Sequence, residues 1–428
     1  MANINATLSP TIIAREALRL LKNNLVMGNL VYRAYEKEFP GNPKKGGTVT
    51  IRKPVKFLVT KSRVRTSSVI TENSITLTVS VQAHVSWAFE TVQLALTIEE
   101  YSDRYIRPAA AVLANTVDAD LCALYKDIYN TVWESTTFTV NPHTFMVLGK
   151  AMQKLDEEAA PPDERVIVLN PAGHWSMANA LSNWNFASGG EGALRKGLVG
   201  RVANADVYMD QNIKAHTSGC LPTESSTVLG VTTAGTATTV GVAAGGPITG
   251  IYMWRFGGAE TYALRAGDVF TVANVFAVNP MSGESTGALR QFVVTADLAV
   301  TDSGSATANA QLVHMEPGMV ATGPYKTVDT FPAAASVIKF IKNGAAGTTP
   351  KIYPQNLAFH KNAFALVMVP LEVPHGTWGS SVTEDGVSVR VIKDYDVDND
   401  LEVCRMDILY GVKTIYPELA CRILGAEQ

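Results

Sequence analysis

TIEEYSDRYIRPAAAVLANTVDADLCALYKDIYNTVW, residues 97–133, is the stretch on which the reading of the whole chain turns. Thr97 and Glu100 form a capping box, in which the hydroxyl and the carboxylate satisfy backbone donors at a helix start. Behind them Ile98, Tyr101, Tyr105, Ala109, Val112, Thr116, Leu121, Leu124, Ile128 and Val132 recur in steps of three to five. That spacing predicts one continuous helix from Thr97 to about Trp133, roughly 50 Å long. Pro108 removes one backbone bond and is expected to bend it. A helix of that length, with β-rich sequence on both sides, predicts an α+β chain built around a rigid spine.

Outward from the spine, composition limits the alternatives. A chain of 428 residues exceeds what one hydrophobic core serves, so two or three domains are expected. With 46% hydrophobic and 18% charged residues it is a folded protein. The net charge of −3 provides no overall basic field to draw it onto nucleic acid. Cys122, Cys220, Cys404 and Cys421 are widely spaced, a pattern for reduced thiols in a cytosolic setting rather than a disulfide framework or zinc site. No basic-then-apolar leader and no run of eighteen apolar residues indicates secretion or a membrane span.

On the N-terminal side, Ser9-Pro10 suits a helix start. Ala14, Leu18, Leu21 and Leu25 then form a narrow stripe, with Gly28 as its expected stop. So thin a stripe needs another surface, on its own subunit or a neighbour. From Gly46 to Thr91 the pattern alternates, notably in Thr48–Arg52 and Ile75–Val81, which predicts a long two-stranded arm. Its middle is basic: Lys44, Lys45, Arg52, Lys53, Lys56, Lys61, Arg63 and Arg65 precede the first acid, Glu72. Three readings compete. The run is a solvated hairpin face, a nucleic-acid contact, or an arm matching acidic patches on an adjacent copy. Nucleic acid would want stacking aromatics, and only Phe57 is at hand.

On the C-terminal side, Asn141-Pro142 is expected to cap a helix bearing Phe145, Leu148, Met152 and Leu155, ended by Pro161-Pro162. Arg165–Leu169 reads as a buried strand, Ala172–Leu181 as a short helix and Ala205–Met209 as another strand. The glycines between them fail both phosphate-binding patterns, because Lys196 precedes Gly197 and Arg195 stands where a third glycine belongs. From Ser218 to Pro350 only about 10% of residues are charged, and short strand runs alternate with turn residues. That segment predicts a compact β barrel or sandwich inserted into a host domain.

Catalytic motifs are missing. The histidines show no metal spacing, and no G-x-S-x-G occurs. Asp394-Tyr395-Asp396-Val397-Asp398-Asn399-Asp400 opens like a calcium loop, but it lacks the glycine at its sixth position and has Arg405 at its twelfth. A solvated turn is the simpler reading. No cofactor is expected, and a carbohydrate-active or nucleotide enzyme is disfavoured.

Gly46–Pro54 resembles the start of the extended arm in coat proteins of short-tailed double-stranded DNA phages. Leu264–Val272 with Val275–Pro280 looks like the inserted β-barrel of that family, and Asn356–Lys361 and Arg405–Val412 are similar to its closing strands. The resemblance implies the major capsid fold shared by tailed phages and herpesviruses. It would divide the chain into an N-terminal arm (1–45), an extended β-hairpin loop (46–91), a spine helix with its peripheral domain (92–140) and an axial domain (141–217). An inserted barrel (218–350) and a return to axial and peripheral domains (351–428) would follow. It implies a non-enzymatic subunit that forms pentamers and hexamers of an icosahedral shell. That shell would enclose double-stranded DNA without sequence-specific binding and would sit in the virion after assembly in host cytoplasm. Scaffolding and portal proteins are the implied partners, and no membrane is involved. Arg52, Lys53, Lys56, Lys61, Arg63 and Arg65 become expected intersubunit contacts. A protein nanocompartment of the same fold is the alternative.

Overall fold

A computed structural model describes residues 10–35, 47–57, 59, 61–64, 72–90, 102–134, 141–182, 199–219, 225–233, 236–239, 247–254, 260–300, 311–333, 336–341, 351–396 and 401–426. The chain is a mixture of helices and many strands in two compact units. One comprises Met1–Lys53, Asn73–Cys122 and Phe364–Ile415, the other Pro54–Glu72, Ala123–Ala363 and Tyr416–Gln428.

The first unit is built on an antiparallel sheet in the order Phe364–Met368, Leu401–Thr414, Val387–Asp396, Trp378–Glu384. Val81–Glu90 pairs along Leu401–Thr414 from Leu401↔Glu90 to Tyr410↔Val81. Asp385-Gly386 closes the outer hairpin, and both residues have positive φ (51° and 76°), as a two-residue turn of matching twist requires. Helix α1, Pro10–Asn24, lies against Trp378–Glu384 and Val387–Asp396. It buries Ile13, Ala14, Ala17, Leu18, Leu20 and Leu21 there. The stripe is therefore wider than the four residues expected, and it finds its surface on its own chain. The stop also differs: α1 ends at Asn24, and Gly28 sits buried inside a following helical turn, Met27–Leu30.

Thr48–Arg52 and Ser74–Thr78 pair in register from Thr48↔Thr78 to Arg52↔Ser74, burying Ile51 and Leu77. This ladder crosses Gly411 of the sheet, where a Cβ would stand 2.3 Å from the Thr78 carbonyl oxygen, so glycine alone permits the crossing.

The spine departs from the expected helix. Residue Thr97 lies outside the described residues. A π-helical turn, Ser102–Ile106, leads into helix α2, Arg107–Ala123, so Pro108 falls in the first turn of the α segment, where it is tolerated. Its buried face is Ala109, Ala110, Leu113, Ala114, Val117, Asp118, Leu121 and Cys122, while Val112 is 58% exposed. After Ala123 the chain makes one 3₁₀ turn, Leu124–Asp127, and then becomes a strand, Thr131–Glu134. The helix does not reach Trp133. Val132 matched a helical spacing, but parallel pairing with Ala420–Ala426 claims it for a sheet.

In the second unit six strands run in the order Thr131–Glu134, Ala420–Ala426, Asn356–His360, Arg165–Leu169, Ala205–Met209, Arg201–Val202. Helices α3, Phe145–Glu157, and α4, Pro171–Ser182, pack on it. Leu148, Ala151, Leu155, Ile167, Leu169, Val207 and Ile423 are among the core residues between them. Thr144, not Asn141, is the N-cap of α3. Asn141 instead accepts a 2.9 Å hydrogen bond from Asn170. The helix ends before Pro161, through Ala159 at φ 57° and an Ala160 N–H bonded back to Leu155.

Six further strands of this unit follow one another in a ring: Ser225–Thr233, Ile248–Trp254, Gln311–Met319, Ser285–Val294, Val269–Val278, Val337–Phe340 and back to Ser225–Thr233. Thr236–Thr239 is added on Ser225–Thr233. Ile251, Phe270, Val272, Phe292, Val313 and Ile338 fill the interior, with Phe270 and Phe292 stacked at 5.6 Å. The chain enters this ring after Ala215–Thr217 and leaves it at Ile352–Pro354, and those two segments pair, His216 opposite Tyr353. Cys122, Cys404 and Cys421 are buried.

Candidate assembly surfaces

The basic residues singled out by sequence do not share one environment. Arg52 is exposed at the end of its strand and Lys53 is half-buried, both in the first unit. Lys56, Lys61 and Arg63 are exposed and belong to the second. Arg65, with Lys44 and Lys45, lies outside the described residues. Among the described residues Lys56, Lys61 and Arg63 make no ion pair, and their segment is also bare of cover for its apolar side chains: Phe57 is 68% exposed, Val59 83% and Val64 76%. The Lys56 backbone N–H donates a hydrogen bond to the Tyr325 hydroxyl at 3.4 Å. Cations and exposed apolar groups side by side form a surface suited to a protein partner.

Elsewhere in the second unit charge is turned inward. Tyr125 on the 3₁₀ turn donates its hydroxyl toward His216 Nδ1 at 3.0 Å when that nitrogen is the bare one. His216 Nε2 stands 2.9 Å from Asp268 Oδ1, and Asp268 Oδ2 accepts the N–H groups of Gly219 and Arg265. Arg422, 2% exposed, donates to the carbonyls of Ile128 and Gly267 and lies over the Tyr125 ring. Burial brings its pKa down to about 10. Arg290 pairs with Glu158 over the Tyr129 ring, and Gln291 exchanges two hydrogen bonds with the Thr131 backbone. Burial opposes the charge on Arg290, but Glu158 and Tyr129 outweigh it and its pKa is raised.

These groups join the ring of strands to the six-stranded sheet. The triad of Tyr125, His216 and Asp268 has the atoms of a proton relay but none of the access, since all three are buried. Sequence reasoning missed it. The faint signal was the turn Arg265-Ala266-Gly267-Asp268 inside the motif already quoted, where Gly267 has φ 104°. Among the described residues no three His, Cys, Asp or Glu side chains gather to hold a metal ion, and no helix is long and apolar enough to cross a membrane. Asp394 and Asp396 lie on a strand paired with Val403 and Leu401, and residues 397–400 lie outside the described residues.

The buried ionic groups of the second unit fasten its elements together, and its exposed segment presents cations and apolar side chains outward. The family model "P22 coat protein - gene protein 5" matches residues 1–425, and the chain belongs to that family. It is a phage major capsid protein, a structural and non-enzymatic subunit that self-assembles into the shell of the virion. No curated protein matches the chain. Among solved structures it is similar to one from Mycobacterium phage Che8, at 14% identity over 93% of this chain and 90% of that one, TM-score 0.46. The capsid of the cyanophage P-SCSP1u shares 12% identity over 90% and 85%, TM-score 0.43. The capsid of Ralstonia phage GP4 shares 8% over 90% and 84%, TM-score 0.43.

Proposed function

We propose that the chain forms pentamers and hexamers of an icosahedral shell, assembled in host cytoplasm around a scaffolding protein, closed at one vertex by a portal, and filled with double-stranded DNA. In this reading the fold is the tailed-phage and herpesvirus capsid type. The N-terminal segment, the extended hairpin, the spine α2 and the α3–α4 sheet are its arm, loop, peripheral and axial parts. The ring of strands is the inserted barrel. The nanocompartment alternative is weaker, because the family model that matches residues 1–425 is that of a phage coat protein.

The observation that carries the assembly role is the exposed segment of Lys56, Phe57, Val59, Lys61, Arg63 and Val64. Its cations and apolar side chains are complementary to an acidic, partly apolar surface, and in a shell the adjacent surface belongs to another copy. Arg52, Lys53 and Arg65 are assigned the same role. Light scattering of purified protein mixed with scaffold tests this: replacing Lys56, Lys61 and Arg63 with Glu is expected to abolish particles while the subunit stays folded. Normal empty particles that fail to retain DNA would instead assign the segment to nucleic acid. A wild-type protein that never exceeds a dimer with scaffold present would overturn the shell reading.

A further inference from the structure

The N-terminal segment is fastened by a device that its own sequence does not contain. Between α1 and Tyr32 the chain turns through Met27–Leu30, whose N-cap, Val26, makes no side-chain capping bond of its own. The cap comes from the spine instead. Asp118, 1% exposed on α2, accepts the Val26 N–H on Oδ2 and the Gly28 N–H on Oδ1, each at 2.8 Å. One carboxylate thus satisfies two backbone donors some ninety positions earlier, with charge-assisted bonds stronger than neutral ones. Gly28 is buried against Leu366 and Asp118, and Tyr32 then bridges to the edge strand, exchanging backbone hydrogen bonds with Phe364 and Leu366. Among the described residues, the side-chain tie of α1 to the sheet is Lys22 with Glu384 and Asp385, whose carboxylates are about two-thirds exposed, the kind of pair that contributes little.

The apolar match between α1 and its sheet is not specific to one copy. Every subunit carries the same helix and the same seat, and a growing shell brings them together at high effective concentration, the condition for exchange of identical elements. A neighbour's seat carries the same Asp118, so what keeps a helix on its own subunit is that its turn stays closed, and the two bonds to Asp118 oppose the opening that exchange requires. We propose that Asp118 is a positioning residue for shell assembly: it keeps α1 on its own subunit, and without it α1 passes to the equivalent seat on a second copy. The proposal rests on the capsid reading.

The test compares Asp118→Asn with Asp120→Asn. Asp120 sits on the same helix and accepts the Tyr410 hydroxyl at 2.6 Å, so its loss weakens the same unit without touching the turn. In Asp118→Asn an amide N–H₂ replaces one acceptor, and amide exchange at Val26 and Gly28 is expected to accelerate on the order of ten- to a hundredfold, the factor for losing one charge-assisted bond. Exchange at those two sites no faster than in Asp120→Asn overturns the proposal. Zero-length coupling of Lys22 to Glu384 or Asp385, in a mixture of isotopically heavy and light full-length protein, then reports whose helix occupies the seat. Wild type is expected to give same-isotope links and Asp118→Asn mixed ones, with fewer closed particles. Only same-isotope links in the variant refute exchange between copies. Should Asp118→Asn not fold, Gly28→Leu serves, because even a Cβ at Gly28 lies 3.0 Å from Leu25 and 3.4 Å from Leu366, and the larger side chain has no room in the buried turn while Asp118 stays intact. Mixed links from wild-type particles would overturn the latch while leaving the capsid reading standing, whereas absence of wild-type particles would overturn the capsid reading and with it the role of Asp118 in assembly.

Discussion

The junction around Arg422 and the segment around Lys61 belong to one compact unit and use the same residue types to opposite ends. At the junction Arg422 and Arg290 are enclosed and held by carbonyls, a carboxylate or an aromatic face. In the segment three cations stand in solvent beside uncovered apolar groups. Enclosed charge fixes an internal arrangement, because removing either partner strands the other in a low dielectric. Exposed charge costs nothing to leave alone, so its use lies between molecules.

The comparison breaks most visibly at Arg422. Arg422→Met would leave the Ile128 and Gly267 carbonyls without donors, and we expect a loss of about 3–5 kcal/mol from the second unit's unfolding transition in urea. A loss below about 1 kcal/mol would mean the junction is decoration. Next is Asp268→Ala, which strips the acceptor from His216 and from the Gly219 and Arg265 amides. About 2–3 kcal/mol is expected, read as a shifted urea midpoint in the same transition. The exposed segment should behave oppositely: Lys56, Lys61 and Arg63 changed together to Ser should move stability by no more than about 0.5 kcal/mol. The same change should slow assembly and flatten its dependence on salt, measured by light scattering across ionic strengths.

The smallest effect concerns pH. Burial holds the His360 imidazole below its ordinary value, so the folded state favours the neutral ring. The unfolded chain takes up its proton first as pH falls through about 6.5, and stability is therefore lost on acidification below that point. His360→Gln should remove this part of the acid limb from a series of melting curves.

What could be read in advance follows the range of the physics involved. Arg165–Leu169 and Ala205–Met209 were legible because apolar runs and alternation are local, and Thr48–Arg52 for the same reason. The end of the spine was not. Leu124, Ile128 and Val132 repeat at a helical spacing, and the strand that overrides it begins at Ala420. The stripe of α1 was visible, but its wider face and its seat on Trp378–Asp396 depend on residues more than 350 positions away. Tyr125, His216, Asp268 and Arg422 occupy four separate segments, and no spacing links them before the chain folds.

The buried cysteines acquire a meaning once the chain is multiplied. Any reactive group on a coat subunit is present in every copy at once, at fixed distances from its own images, so even a slow side reaction would crosslink neighbours throughout a particle. Cys122, Cys404 and Cys421 are all enclosed, and burial pushes the Cys421 thiol up to about 12, far from the thiolate that attacks other sulfurs. A lattice of identical parts is thereby kept chemically silent at those positions, and its geometry is left to contacts that can form, fail and form again.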